Sequence, residues 1–316
     1  MRKYILKRLI IVIPVLFMIS IGAFFIVNLA PGDAVDLYVS PDATVQQMEA
    51  TREALGLNDP IPAQYIKWLT NMLSGNLGFS FSSRLPVSEI LGQRVGPTLL
   101  LMGVTLIVAY IFAIPLGIIS AKKQNTLVDY ILTGSSFLGI SLPSFFFGLG
   151  LIYIFGVKLA WLPTGGMEIL GVNNGIFERI RHLILPVVVL AAQVGANMIR
   201  YVRSSMLEVM SENYIRTATA KGLKSDQILR HHSIRNALIP IITIIGADIP
   251  KLVGGAIVTE QIFQWPGIGS LMISSINSRD YPVLMAVTML SAIAVLLANI
   301  LVDIMYAVVD PRIKFN

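Results

Sequence analysis

The chain has 316 residues, of which 55% are hydrophobic and only 13% charged, and its mean hydropathy is +0.73. Soluble domains carry about 25% charged residues, so this composition excludes an ordinary soluble protein and indicates one that is solvated largely by lipid. The absence of cysteine excludes disulfide frameworks and thiolate metal sites. The three histidines are too few and too scattered for an ordinary zinc site, so we expect no metal site.

Six apolar segments follow one another along the chain, and most are long enough to cross a hydrocarbon core of about 30 Å. Only helices and closed barrels satisfy their backbone in lipid, and the short alternating segments of barrel strands are absent from this sequence. The pattern therefore predicts an all-α membrane protein with six transmembrane helices. The predicted spans are 9–30, 98–121, 130–155, 183–199, 237–258 and 282–306, of which the fourth is short.

The spacing of the spans divides the chain into three parts. Residues 1–30 form an N-terminal segment with the first helix, 31–97 an extracytoplasmic loop subdomain, and 98–316 a five-helix core. Within the loop subdomain, Thr44 and Gln47 have the spacing of a capping box and predict a helix that ends near Leu55. A second short helix is predicted over 62–73, so the insertion between the first two spans is small and helical.

Cationic residues are concentrated on one side of the predicted membrane. With the N-terminus in the cytoplasm, the cytoplasmic segments hold 15 of the 24 Lys and Arg residues, whereas 31–97 carries seven acids against four bases. Cytoplasmic loops are enriched in Lys and Arg, so both termini are predicted to be cytoplasmic. The net charge of +6 is thereby explained by topology, and we expect no nucleic-acid partner.

The cytoplasmic loop 200–236 has the pattern of two short helices, 205–220 and 225–235, broken at Lys221-Gly222-Leu223. Glycine suits such a break because it adopts positive φ, and Ser225 and Asp226 are suitable caps for the second helix. A basic helical hairpin of this kind is either a docking surface for a cytoplasmic partner or a solvated connector. Periodicity alone leaves both interpretations open.

Asp248 lies 11 residues into the fifth span, about 16 Å along a helix. A charge at that depth costs about 2.5–3.5 kcal/mol on insertion scales, so its side chain is expected to face protein or a water-filled cavity. Lys251 shares its helix face and is a candidate partner. We take Asp248, Lys251 and Ser141 as candidates for lining a translocation path; the alternatives are a structural ion pair and, for the serine, packing between helices.

The sequence contains no motif for nucleotide or hydrolytic chemistry. It has no P-loop, no G-x-S-x-G elbow and no H-E-x-x-H, so the chain is predicted to bind no cofactor and to be no enzyme. An intramembrane hydrolase would need a base near the serines of the third span. A secondary transporter driven by an ion gradient would need several buried acids and an inverted repeat, and Asp248 is the one good acidic candidate in the sequence.

Short motifs occur in a fixed order over nearly the whole chain. They include Ala30-Pro31-Gly32-Asp33, Gly75-Asn76-Leu77-Gly78, Tyr214-Ile215-Arg216-Thr217-Ala218-Thr219-Ala220-Lys221-Gly222-Leu223, Arg235-Asn236-Ala237-Leu238-Ile239-Pro240, Trp265-Pro266-Gly267-Ile268-Gly269 and Asp310-Pro311-Arg312. In this order they resemble the permease subunits of bacterial ABC importers, in the first-permease group of dipeptide, oligopeptide and nickel importers. Arg216-Thr217-Ala218 stands where the wider superfamily has an acidic residue and two alanines, a departure that the peptide-type permeases share.

The resemblance implies a type I ABC importer permease fold in the bacterial inner membrane. It implies that the chain moves di- or oligopeptides, or related small solutes, by alternating access, with ATP and Mg²⁺ bound by partner subunits. The implied partners are a second homologous permease, two ATP-binding subunits and an extracytoplasmic solute-binding protein. The residues implied to enter a groove on the ATPase are Arg216, Thr217, Ala218, Lys221, Gly222, Leu223, Lys224, Ser225 and Asp226.

Overall fold

The computed structural model describes residues 2–29, 44–54, 57–168 and 175–309, and these residues are predominantly helical. The helices are α1 (Arg2–Asn28), α2 (Val45–Ala54), α3 (Ile61–Leu73), α4 (Val87–Lys122), α5 (Leu127–Ser141), α6 (Ser144–Leu151) with a π-helical continuation (Ile152–Lys158), α7 (Ile176–Ser211), α8 (Asn213–Ala220), α9 (Ser225–Gln227) with a π-helical continuation (Ile228–Ser233), α10 (Ile234–Ile262), α11 (Ile268–Asn277) and α12 (Tyr281–Val309).

Each of the six predicted spans overlaps one or more of these helices, and the predicted all-α membrane fold is confirmed. Within the described residues, four helices are long and apolar enough to cross a membrane: Ile10–Asn28 of α1, α4, α7 and Tyr281–Ile304 of α12. The pair α5 and α6 is a fifth apolar unit. The predicted span 237–258 lies on α10, and the side chains of 249–255 lie outside the described part.

Two predicted spans differ from the structure. The predicted third span, 130–155, is divided between two helices, because α5 and α6 meet at a bend of 102°. Pro143 follows Leu142, which is extended at φ −76° and ψ 122°, as expected of a residue before proline. The predicted fourth span, 183–199, lies within a longer helix: α7 has 36 residues, because it continues through polar residues on both sides of the apolar run.

The predicted capping box forms at the start of α2. The backbone N–H of Thr44 donates to Oε1 of Gln47 at 3.0 Å, and the N–H of Gln47 donates to Oγ1 of Thr44 at 3.4 Å. The next helix, α3, packs against α1 through aromatic side chains, with ring centroids of Tyr65 and Phe24 5.4 Å apart. The hydroxyls of Tyr65 and Ser20 are 2.8 Å apart, so the insertion is attached to the first span by both polar and apolar contacts.

The centre of the bundle is the packing of α4 against α7, with α10 alongside. Gly117 allows this approach, because a Cβ at that position would lie 2.6 Å from the Cβ of Val202. Small residues at helix contacts are the usual means of close packing in membranes. The buried core here consists of Ala113, Ala121, Met198, Val202, Met206, Ala237 and Ile241.

The remaining long helices pack outward from this centre. α12 packs on α10, and α1 packs on α12. Near one end of this pair, Nε of Arg8 lies 3.0 Å from a carboxylate oxygen of Asp303. The connection between α7 and α10 lies at the end of the bundle where α4 ends, and we call this the coupling end.

Candidate functional site

The connection between α7 and α10, residues 212–233, is called the coupling segment here. α7 ends because Glu212 is extended, at φ −66° and ψ 148°, and α8 then runs to Ala220. The predicted single helix 205–220 is therefore divided at Glu212. The predicted helix 225–235 is not a separate unit either, because α9 runs through its π-helical continuation into α10.

The predicted break at Lys221-Gly222-Leu223 is confirmed. Gly222 has φ +82°, which side chains other than glycine rarely tolerate. The turn is closed by the N–H of Gly222, which donates to the carbonyl of Thr219 at 2.9 Å, and by that of Leu223, which donates to the carbonyl of Ala218 at 3.3 Å. The turn is therefore defined by backbone geometry, with glycine at the one position that requires it.

The predicted caps Ser225 and Asp226 occupy the first turn of α9 instead of its cap position. Lys224 precedes the helix at φ −65° and ψ 142°, and its N–H donates to Oε1 of Gln227 at 3.3 Å. The prediction of the cap is therefore wrong by one residue. Lys224 holds the cap position, and Gln227 accepts a hydrogen bond from its backbone N–H, as the third helical residue does in a capping box.

The coupling segment has an apolar inner side and a polar outer side. Ile215, Ala218 and Ile228 are buried against one another and hold the two arms of the segment together. Of the nine predicted contact residues, Ala218 is therefore internal. The other eight are exposed, namely Arg216, Thr217, Lys221, Gly222, Leu223, Lys224, Ser225 and Asp226.

An ion pair connects the coupling segment to α4. Nζ of Lys122, the last residue of α4, lies 3.1 Å from Oδ1 of Asp226, and Arg230 lies 3.9 Å from the other carboxylate oxygen. The hydrogen bond and charge of Lys122, assisted by Arg230, lower the pKa of Asp226. The pair therefore joins α9 to the end of a long apolar helix.

Next to this pair is a buried network that the sequence did not predict. Asp129, in the first turn of α5, is almost fully buried and accepts two hydrogen bonds from Arg203 of α7, at 2.7 and 2.8 Å. It also accepts from Oγ of Ser120 and from the N–H of Asn125. The network joins α4, α5 and α7 at the coupling end. The one signal of this network in the sequence was an aspartate at the start of a predicted span.

The candidate path residues lie on two helices, Asp248 and Lys251 on α10 and Ser141 on α5. Asp248 is buried in α10, and the hydroxyl of Tyr110 on α4 donates to its Oδ2 at 3.3 Å. The side chain of Lys251 lies outside the described part of the structure, so the predicted pair with Asp248 stays a prediction. Ser141 is exposed at the last position of α5, beside the 102° bend.

At the opposite end of the bundle, another buried carboxylate holds the start of α11. Glu260 is fully buried and accepts hydrogen bonds from the hydroxyl of Thr98 at 2.7 Å and from the N–H groups of Gly269 and Ser270 at 2.7 and 3.1 Å. These amides belong to the first turn of α11, where a negative charge is stabilising. The buried ring of Trp265 donates from Nε1 to the carbonyl of Pro97 at 2.9 Å.

Asp280 and His182 each hold a loop at this same end. Asp280, directly before α12, accepts hydrogen bonds from Oγ of Ser80 and, at 3.0 Å, from the N–H of Phe81. Nδ1 of His182 lies 3.0 and 3.1 Å from the carbonyl oxygens of Gly165 and Gly166. These contacts indicate structural roles for both residues.

Comparison with known proteins identifies the family over nearly the whole chain. Residues 113–315 match the binding-protein-dependent transport system inner membrane component, and residues 1–103 match the N-terminal region of such membrane components. The chain is 48% identical to the oligopeptide transport system permease protein AppB of Bacillus subtilis, over the full length of both. It is 39% identical to the glutathione transport system permease protein GsiC of Escherichia coli, again over the full length of both.

A solved structure supports the fold independently. The permease of the MetNI methionine ABC transporter, in an inward-facing conformation, superposes with a TM-score of 0.57 at 18% identity, covering 70% of this chain and 96% of that one. The matching family is a permease component and no ATPase, and the comparisons give no support to a secondary transporter driven by an ion gradient. The chain thus belongs to the binding-protein-dependent transport system inner membrane components, as a multi-pass permease subunit of an ABC importer that works with ATPase and solute-binding components.

Proposed function

We propose that the chain moves di- or oligopeptides across the inner membrane by alternating access, with both of its termini in the cytoplasm. Relatives that match over the full length of the chain are named as oligopeptide and glutathione permeases, which supports a peptide-like substrate. The chain supplies the path, and ATP with Mg²⁺ binds to the partner subunits, where the energy for transport is released.

The observation that carries this proposal is the geometry of the coupling segment. Its tip is a glycine turn with exposed residues on both sides, and its base is tied to α4 by the pair of Lys122 and Asp226. A cytoplasmic ATPase subunit would bind the exposed residues from Arg216 to Asp226. The movement of the ATPase subunit on binding ATP would then be transmitted through α9 to α4. Through the buried contacts of Ile215, Ala218 and Ile228 it would also reach α10.

The complete transporter in this proposal contains two different permeases, two ATP-binding subunits and an extracytoplasmic solute-binding protein. The binding protein would contact the loop subdomain 31–97, whose helix α3 packs on the first span. Asp248, Lys251 and Ser141 remain candidates for the path. The contact between Asp248 and Tyr110 supports a polar position between α4 and α10.

Purification of the tagged chain in mild detergent tests the assembly. We expect a second permease and ATPase subunits to co-purify with ATPase activity, and a variant with residues 216–226 scrambled to lose the ATPase subunits while it keeps the second permease. A matched variant with the exposed residues of α2 scrambled should keep both. If the chain is recovered alone, or if scrambling 216–226 leaves the ATPase subunits bound, the proposed docking surface is wrong.

A further inference from the structure

A cleft of about 400 Å³, lined by polar and aromatic side chains, opens between α5 and α7, close to the coupling end. Its α7 side consists of residues at spacings of three and four, which place them on one helix face. No acidic residue lines it in the described structure. Its lining includes Thr133, Phe137, Asn197, Arg200, Tyr201 and Ser204.

The two arginines at this cleft have different environments. Arg203 is held by both carboxylate oxygens of Asp129, so its charge is already compensated. Arg200 is exposed, and among the described residues it has no hydrogen bond or ion pair. The guanidinium carbon of Arg200 lies 4.7 Å from the ring centroid of Phe137, so the side chain stacks on an aromatic ring. Arg200 therefore supplies the uncompensated positive charge of the cleft.

The direction of the Arg200 side chain distinguishes it from an arginine that reaches for the aqueous interface. Asp129 pairs with Arg203 near the start of α5, whereas Phe137 is eight residues further along, about 12 Å of helix rise. By stacking on Phe137, the guanidinium points along α5, away from the coupling end. A snorkelling arginine would point the other way.

We propose that Arg200 and Phe137, with the polar face of α7, form a subsite in the translocation path that binds a carboxylate of the transported solute. The cleft combines a positive charge, hydroxyl and amide donors, and an aromatic wall that holds the guanidinium with its N–H edge free. That is the chemistry that recognises a carboxylate. The inference rests on the proposed function, because a peptide carries such a group at its C-terminus.

The first test uses the complete transporter in proteoliposomes, supplied with saturating solute-binding protein. Uptake of trialanine is compared with uptake of its C-terminal amide. We expect Arg200→Gln to lower uptake of the free acid about tenfold, the effect of losing one charge-assisted hydrogen bond, and to change uptake of the amide less than twofold. Arg200→Lys should be intermediate, since it keeps the charge without the planar fork. Arg179→Gln, an exposed arginine at the other end of α7, is the matched control and should change neither.

Three outcomes of this test would overturn the proposal. Equal losses for both peptides would indicate a structural role or a contact with the second permease. No loss for either would remove Arg200 from the path. A loss that disappears in vesicles without anionic lipid would show that the ligand is a lipid phosphate.

A second test does not depend on transport. The chain has no cysteine, so a Ser204→Cys variant carries one thiol, one turn from Arg200. The rate of its modification by an anionic methanethiosulfonate is divided by the rate with a cationic one. This ratio should be roughly fivefold higher than in the variant that also carries Arg200→Gln. An unchanged ratio would show that the cleft has no anion-attracting character. If the wild type takes up neither peptide, the proposed function fails, and this ratio still decides whether the cleft attracts anions.

Discussion

Arg203 and Asp129 face each other across α7 and α5 as a two-point ion pair, with N–O distances of 2.7 and 2.8 Å, and the aspartate side chain is only 3% exposed. Ser120 and Asn125 donate further hydrogen bonds to the same carboxylate. A buried carboxylate with this many partners fixes three helices at the coupling end.

Replacing one member of this pair should destabilise the protein. Asp129→Asn leaves Arg203 without its counter-charge, and loss of one partner of a buried pair costs on the order of 3 kcal/mol. We expect a clear fall in the midpoint of thermal unfolding of the detergent-solubilised chain, measured by fluorescence-detected size-exclusion chromatography. Asp226→Asn, which neutralises an exposed aspartate, is the control and should have little effect. Equal midpoints for both variants would contradict a structural role for Asp129.

The pair of Lys122 and Asp226 should affect coupling without affecting stability. Its side chains are 50% and 63% exposed, and exposed pairs contribute only about 0–1 kcal/mol. Lys122→Glu or Asp226→Lys alone should reduce the peptide transported per ATP hydrolysed, because like charges separate α9 from α4. The double exchange should restore part of this ratio. If it restores none, the pair does not transmit the motion.

A side chain at Gly222 should uncouple transport. Gly222→Pro is incompatible with φ +82°, and Gly222→Asp adds strain and charge at the tip of the coupling segment. Both variants should insert in the membrane normally, as shown by protease protection, and take up no peptide. Gly75→Asp, at φ +84° after α3, carries the same backbone strain and should keep the transport-to-hydrolysis ratio of the wild type. Normal uptake by a Gly222 variant would count strongly against the coupling role.

The glycine before α11 should tolerate no side chain. A Cβ at Gly267 would overlap the carboxylate of Glu260, which accepts hydrogen bonds from Thr98, Gly269 and Ser270. Overpacking of this kind costs about 1–3 kcal/mol, so Gly267→Ala should lower the unfolding midpoint. Gly92→Ala, within α4 and with nothing near its Cβ, should leave it unchanged or raise it, since alanine favours helix. Similar midpoints for the two variants would rule out this close approach.

Features with local signals were predictable from the sequence. The spans follow from apolar length, the start of α2 from the spacing of Thr44 and Gln47, and the turn at Gly222 from the need for positive φ. The resemblance of ordered motifs to ABC permeases supplied the family, which the comparisons confirm.

Features that depend on tertiary contacts were not predictable in this way. Asp129 and Arg203 are 74 residues apart, and nothing local indicates that they meet. The length of α7 was underestimated because hydropathy marks where a helix is apolar, whereas its end is set by Glu212. Arg200 was counted as a loop cation, although it lies on α7 beside a cleft lined by α5.

The most direct test is ATP-dependent uptake of trialanine into proteoliposomes that contain the complete transporter, with ATP hydrolysis measured in the same vesicles. We expect uptake only with ATP and loaded binding protein, and we expect scrambling residues 216–226 to abolish uptake while this chain still assembles with its partner permease. Uptake without ATP, or undiminished uptake by the scrambled variant, would contradict the proposal that this segment couples ATP hydrolysis to peptide movement.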